Sequence, residues 1–111
     1  MSHYGTAFSG RPKGIMLSHK NVIACVSGCL KQLGSSQAPR DSDVMISYLP
    51  MAHMLERLVQ TSVIANGGAI GFASGHIRNL TDDMKVLQPT IMPTVPRILN
   101  RVYDRYFTVQ N

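Results

Sequence analysis

Apolar side chains along this chain alternate between helical and strand-like spacing. Val22, Cys25, Val26, Cys29, Leu30 and Leu33 recur every three or four positions, which puts them on one helix face. Ser18 is a good N-cap for that helix, and Gly34 is placed to end it. A polar loop containing Pro39 follows over residues 35–43. Val44-Met45-Ile46-Ser47-Tyr48-Leu49 is then a short, mostly apolar run closed by Pro50, as expected of a buried strand. Leu55, Leu58, Val59, Ser62 and Val63 mark a second amphipathic helix, stopped by Asn66-Gly67-Gly68. Residues 69–73 read as another strand. Thr81 is expected to cap a short helix, with Asp82 and Asp83 at the positive end of its dipole and Gln88-Pro89 breaking it. Thr90 to Val95 is a third strand candidate, with Pro93 at an edge or end. Pro96 suits the first turn of a last helix whose apolar positions are Ile98, Leu99, Val102, Tyr103, Tyr106 and Phe107.

Strands alternating with helices, joined by connections long enough for crossovers, predict an α/β fold: a partial, mainly parallel sheet with flanking helices. No internal repeat or low-complexity segment interrupts the pattern. Of the 111 residues, 44% are hydrophobic and only 15% charged. So much apolar surface with so little charge is expected of a piece of a larger body, whose outer faces other segments cover. The net charge of +5 is spread from Arg11 to Arg105. Without a clustered basic stripe or interleaved aromatics, it argues for a general affinity for anions and against a nucleic-acid partner. Cys25 and Cys29 share one helix face and are expected to be buried packing residues rather than a disulfide. The seven methionines are expected to be adaptable core filling. No Cys/His cluster has zinc spacing, no charged-then-apolar leader opens the chain, and no apolar run approaches the ~18 residues of a membrane span. An intracellular, reducing compartment is the expectation.

The candidate chemistry begins at Gly10-Arg11-Pro12-Lys13-Gly14, which runs into Ile15-Met16-Leu17-Ser18-His19. This reads as a tight loop, a short hydrophobic strand and a helix start. Glycines let backbone amides come close to a ligand and Lys13 sets a positive charge beside them, a combination suited to a polyphosphate. The same residues also make an ordinary basic turn with a solvated lysine. His53 follows the strand-ending Pro50, where ligands meet open α/β sheets. Its plainer reading is a helix-start histidine bonded to backbone. His19 is expected to shape the helix entry beside Ser18, and Glu56 and Arg57 to form structural ion pairs with neighbours. Arg97 and Arg101, one turn apart, make a solvated face or meet an acidic partner.

Three stretches, residues 10–21, 47–57 and 89–103, together with Leu80-Thr81-Asp82-Asp83-Met84-Lys85, resemble the adenylate-forming enzymes, and within them the long-chain fatty acid–CoA ligases. The block Leu49-Pro50-Met51-Ala52-His53-Met54-Leu55-Glu56-Arg57 is the part most specific to the long-chain branch. The resemblance covers residues 10–111 as a partial AMP-binding domain and leaves 1–9 as a divergent segment. It implies a two-step reaction: a fatty acid carboxylate attacks the α-phosphorus of ATP, and the coenzyme A thiol then takes the acyl group from the adenylate. It further implies a phosphate loop at Ser9, Gly10, Lys13 and Gly14, a place for His53 by the acyl-adenylate pocket, and Mg2+ to neutralise the phosphates.

The chain departs from the family at the loop. Where the family has Tyr or Phe followed by Thr-Ser-Gly-Thr-Thr-Gly, this chain has Tyr4-Gly5-Thr6-Ala7-Phe8-Ser9-Gly10. Counted back from Gly10 without gaps, Ala7 stands for the loop glycine and Phe8 for a threonine. Matching Gly5-Thr6 to the family's Gly-Thr instead needs two inserted residues. Either way a bulky ring enters a phosphate cradle, and weakened ATP binding is expected. The family's later glutamate for magnesium, its ribose-binding aspartate and its C-terminal-domain lysine have no counterpart in these residues. The expectation is therefore a piece of a long-chain ligase, inactive alone. The alternative is a catalytically dead product that acts only by binding, through association with other parts of a ligase or with a chaperone. Family members often attach to endoplasmic reticulum, mitochondrial or peroxisomal membranes.

Overall fold

The computed structural model describes residues 2–5 and 13–108. Eight elements follow in order: strand β1 (Ser2–Gly5), strand β2 (Lys13–Met16), helix α1 (His19–Gln37), strand β3 (Val44–Ser47), helix α2 (Met54–Ala65), strand β4 (Ala69–Phe72), helix α3 (Leu80–Leu87) and helix α4 (Pro96–Thr108). The fold is α/β. β1 and β2 pair antiparallel, with Ser2 opposite Met16 and Gly5 opposite Lys13. β1 falls in the divergent segment, where the sequence offers no strand signal.

The parallel part of the fold is built around β3. β4 pairs with it in parallel, Met45 opposite Ile70, and a parallel bridge joins Met45 to Ile91 on the other side. The expected third strand over 90–95 is thus reduced to a bridge at Ile91. Its amide donates to the Val44 carbonyl and its carbonyl accepts from the Ile46 amide, both at 3.1 Å. Pro93, two residues on, has no N–H with which to continue a ladder. At the start of β3 a polar cluster pins this arrangement. The Thr90 hydroxyl donates to Asp43 Oδ1 at 2.7 Å, the Val44 amide donates to Thr90 Oγ1 at 3.0 Å, and the Arg40 amide donates to Asp43 Oδ2 at 2.7 Å. The Arg40 amide and then the Thr90 hydroxyl hold the Asp43 carboxyl below its ordinary pKa, against a smaller opposing effect of burial.

Alternation along β3 sorts the helices. Ile46 faces a cluster with Leu80 and Ile98, around which Tyr48, Met84, Leu87 and Met92 pack. This is the face covered by α3 and the start of α4. Met45 and Ser47 point the other way, toward α2, where the Gln60 side chain reaches Ser47. α1 in turn packs on α2. Met45, Ile46 and Val63 are wholly buried, and Val26 is the buried side chain of α1.

α1 starts as its sequence predicts. Ser18 Oγ accepts from the Asn21 amide at 3.2 Å and Asn21 Oδ1 accepts from the Ser18 amide at 3.0 Å, a reciprocal capping box. Its end differs: Gly34, at φ +67°, breaks the helical geometry but the helix resumes as far as Gln37. Cys25 is exposed and Cys29 half-buried, both free thiols, so the expectation of buried packing is corrected for Cys25. On α1 only Val26 is buried, with Val22, Cys29 and Leu30 half-buried beside it, and Cys25 falls outside that face. The methionines divide similarly: Met45 is core, whereas Met16, Met51 and Met54 are exposed. α3 begins two residues earlier than expected, with Asn79 at the N-cap and Thr81 in the first turn; Gln88 ends it in the left-handed region. On α4, Ile98 is buried while Leu99, Val102 and Tyr103 are exposed; the Tyr106 and Phe107 side chains lie outside the described residues.

Candidate substrate cleft

β3 and β4 run parallel, so their carboxyl ends open on the same side, and the loops leaving them spread apart there. A cleft of about 680 Å³ lies between these loops. Tyr48, Leu49, Pro50 and Met51 form the wall after β3; Phe72, Ala73, Gly75, His76 and Ile77 form the wall after β4. Ser47 and Gln60 lie at its base, and Leu80 closes it from α3. Most of this lining is apolar.

Each wall is tied down by polar bonds. After β4, the Ser74 amide and hydroxyl both donate to Asp83 Oδ2 at 2.9 Å, anchoring the loop to the first turn of α3. Gly75, at φ +92°, then turns the chain so that His76 stands on the rim. After β3, Arg57 donates through Nε and Nη2 to the Met51 carbonyl at 3.3 and 3.0 Å. The His53 amide donates to the Pro50 carbonyl at 2.8 Å, completing a turn into α2. The Tyr48 hydroxyl donates to the Pro93 carbonyl. Burial, and secondarily the charge of Glu56, push this hydroxyl above the ordinary tyrosine pKa.

The base of the cleft is a buried polar group. Gln60 Nε2 donates to Ser47 Oγ and to Glu56 Oε1, both at 2.9 Å. Glu56 is wholly buried, and its second oxygen, Oε2, has no partner among the described residues. Glu56 and Arg57 were expected to form structural ion pairs with neighbours; both are buried and brace this end of α2, Glu56 through its bond to Gln60 and Arg57 through its bonds to the Met51 carbonyl.

His53 caps α2 with its backbone, and its side chain makes no capping bond and is exposed. It follows directly on the cleft wall but is not among the lining residues. Gly14 lies in β2, exposed, with open space where a side chain would go. Lys13 heads the same strand, and its side chain, like Ser9 and Gly10 as a whole, lies outside the described residues. The hairpin that carries Lys13 and Gly14 and the sheet that leads to His53 are separate sheets. Gln60 and His76 are not singled out by a reading of the sequence, and Glu56 only as an ion-pairing residue. A signal for two of them was present: Glu56 and Gln60, four apart, are polar residues on the helix face that turns inward.

Comparison with known proteins identifies this arrangement as part of an adenylate-forming domain. The AMP-binding enzyme family matches residues 9–110, and the chain belongs to that family. Within it, the chain is 58% identical over 99 residues to long-chain-fatty-acid–CoA ligase 6 of Rattus norvegicus, a match covering 89% of this chain and 14% of that protein. It is 54% identical to ligase 6 and 47% to ligase 1 of Homo sapiens, each over 103 residues, covering 93% of this chain and 15% of those proteins. The chain thus spans about 14–15% of the length of these relatives. Among solved structures, a Rhodopseudomonas palustris protein described as a long-chain-fatty-acid CoA ligase shares the fold, with a TM-score of 0.71 at 21% identity over 93% of this chain and 25% of that one.

Proposed function

We propose that this chain contributes a substrate cleft and a phosphate-contacting hairpin to ATP-dependent long-chain acyl-CoA formation, and that it does not complete the reaction alone. The observation that carries the reading is an apolar cleft at the carboxyl ends of parallel strands, in a chain of the AMP-binding family. The chemistry is the joining of two anions: a fatty carboxylate attacks the α-phosphorus of ATP and displaces pyrophosphate, and the coenzyme A thiol then displaces AMP. Lys13 and Gly14, with Ser9 and Gly10 before them, would hold the phosphates. His53, on the turn between the cleft wall and α2, would meet the acyl-adenylate. Among the described residues no three His, Cys, Asp or Glu side chains cluster as a metal site. We place the protein in a reducing, intracellular compartment, with both cysteines as thiols.

Calorimetry with magnesium-ATP and a thioester assay with palmitate, ATP and coenzyme A test the reading on the purified chain. Weak nucleotide binding, palmitate binding and no thioester are expected. Thioester from the chain alone would overturn its incompleteness, and failure to bind palmitate would overturn the cleft. A second reading, an interaction module without catalysis, rests on the exposure of Met16, Phe72 and Val86, which are 91%, 78% and 86% accessible.

A further inference from the structure

The bonds at the base of the cleft leave a specific polar vacancy in an otherwise apolar lining. Both Nε2 hydrogens of Gln60 are committed, one to Ser47 Oγ and one to Glu56 Oε1. A carboxylate oxygen can only accept from an amide nitrogen, so Glu56 fixes which way the Gln60 carboxamide points. Its Oε1 accepts no bond among the described residues. Nor is it sealed in, because Glu56 Oε2 is the only buried side-chain oxygen or nitrogen there without a partner. Gln60 Oε1 therefore opens toward the cleft that the residue lines. Ser47 Oγ, which already accepts from Gln60, retains its own proton to donate. An acceptor and a donor stand side by side.

We propose that Gln60 and Ser47 form a hydroxyl-recognising subsite in the cleft, with Glu56 as the positioning residue behind them, and that the ligand it selects is an aliphatic chain bearing a hydroxyl group. The proposal rests on the reading of the cleft as an acyl site. A hydroxyl both donates and accepts, and so satisfies Gln60 Oε1 and Ser47 Oγ–H together. A plain methylene leaves both unmet, the situation in which a polar site discriminates against an analogue lacking the group. A carboxylate would face the Gln60 oxygen with the charge of Glu56 behind it. The acid head group therefore lies elsewhere, and the subsite reads the body of the chain.

The test is calorimetric binding of dodecanoate and of a series of monohydroxydodecanoates, substituted at successive carbons, to the intact 111-residue chain. One positional isomer is expected to bind about 3- to 10-fold more tightly than dodecanoate, the range of one net hydrogen bond. Gln60→Leu should abolish that preference, read as the ratio of the two affinities within the variant. Ser47→Ala, which keeps the backbone and nearly the volume, should do the same and serves if Gln60→Leu fails to fold. Glu56→Gln, which lets the Gln60 amide turn over, should reduce the ratio of the two affinities, whereas a general loss of stability would weaken both acids alike and leave the ratio unchanged. Dodecanoate binding with no isomer preferred, or a preference that survives Gln60→Leu and Ser47→Ala, overturns the subsite and leaves the acyl cleft standing. Binding of none of these acids overturns both.

Discussion

A Cβ at Gly68 would lie 2.8 Å from Val63 Cγ1 and 3.0 and 3.1 Å from the carbonyl oxygens of Asp43 and Arg40. Those oxygens belong to backbone that leads into β3 and cannot move aside. At Gly71 a Cβ would lie 2.5 Å from both methyl groups of Leu87, the far end of a side chain that can change rotamer. Gly68→Ala is therefore expected to lower the unfolding free energy by about 1–3 kcal/mol, and Gly71→Ala by less, in urea titrations. Asp43 makes a prediction of a different kind. Its pKa in the folded state is depressed, so its contribution to stability is present above the ordinary carboxylate value of 3.8 and is lost as pH falls through the folded value. Stability should fall on acidification below that point, and Asp43→Asn should flatten this part of the profile. Denaturation midpoints measured across pH 2–6 check it; an unchanged slope in the variant would contradict the assignment.

Among the elements, α1 depends most on its own local signals, because it buries so little. Ser18→Ala removes the side-chain half of the capping box and is expected to lower stability by about 1 kcal/mol, read from thermal melts followed by circular dichroism. What the sequence disclosed about the elements follows the same division. Ser18, Pro50, Asn66-Gly67-Gly68 and Pro96 act locally, through caps and chain-breaking residues, and the helices and strands they bound lie where the pattern places them. Cys25, the Thr81 cap and the third strand over 90–95 were decided by contacts distant in sequence or by the details of a bend, and a single sequence does not carry these. The cleft was half legible. Pro50 followed by His53 marked the strand end at which the cleft opens, but the base of the cleft is made by Gln60 and Glu56, whose inward orientation depends on how α2 sits on β3. The wall after β4 owes its position to a bond between Ser74 and Asp83 that no motif announces.

For the molecule as a whole, the radius of gyration is 16.1 Å, against about 13 Å for a compact domain of this length. Large apolar side chains are correspondingly bare: Ile23 is 62% exposed and Ile64 63%, besides Phe72 and Val86. Under native conditions the chain is expected to bind a hydrophobic-surface dye and to associate as its concentration rises, which fluorescence and sedimentation velocity would detect. A monomer that ignores the dye would mean these faces close over one another in solution. Gly14→Ala, at an open position, should leave the unfolding free energy within about 0.5 kcal/mol of its original value, so any loss of nucleotide affinity it causes would be a loss of contact. The two-sided pairing of Met45, with Ile70 on one flank and Ile91 on the other, also bears on how the chain is made. The second of these neighbours is 46 positions downstream, which at ribosomal speeds of about 5–20 residues per second is a delay of roughly 2–9 s. Throughout that interval Val44, Met45 and Ile46 wait in a nascent polypeptide with at least one unzipped edge, and whatever shields them then guards the birth of the whole sheet.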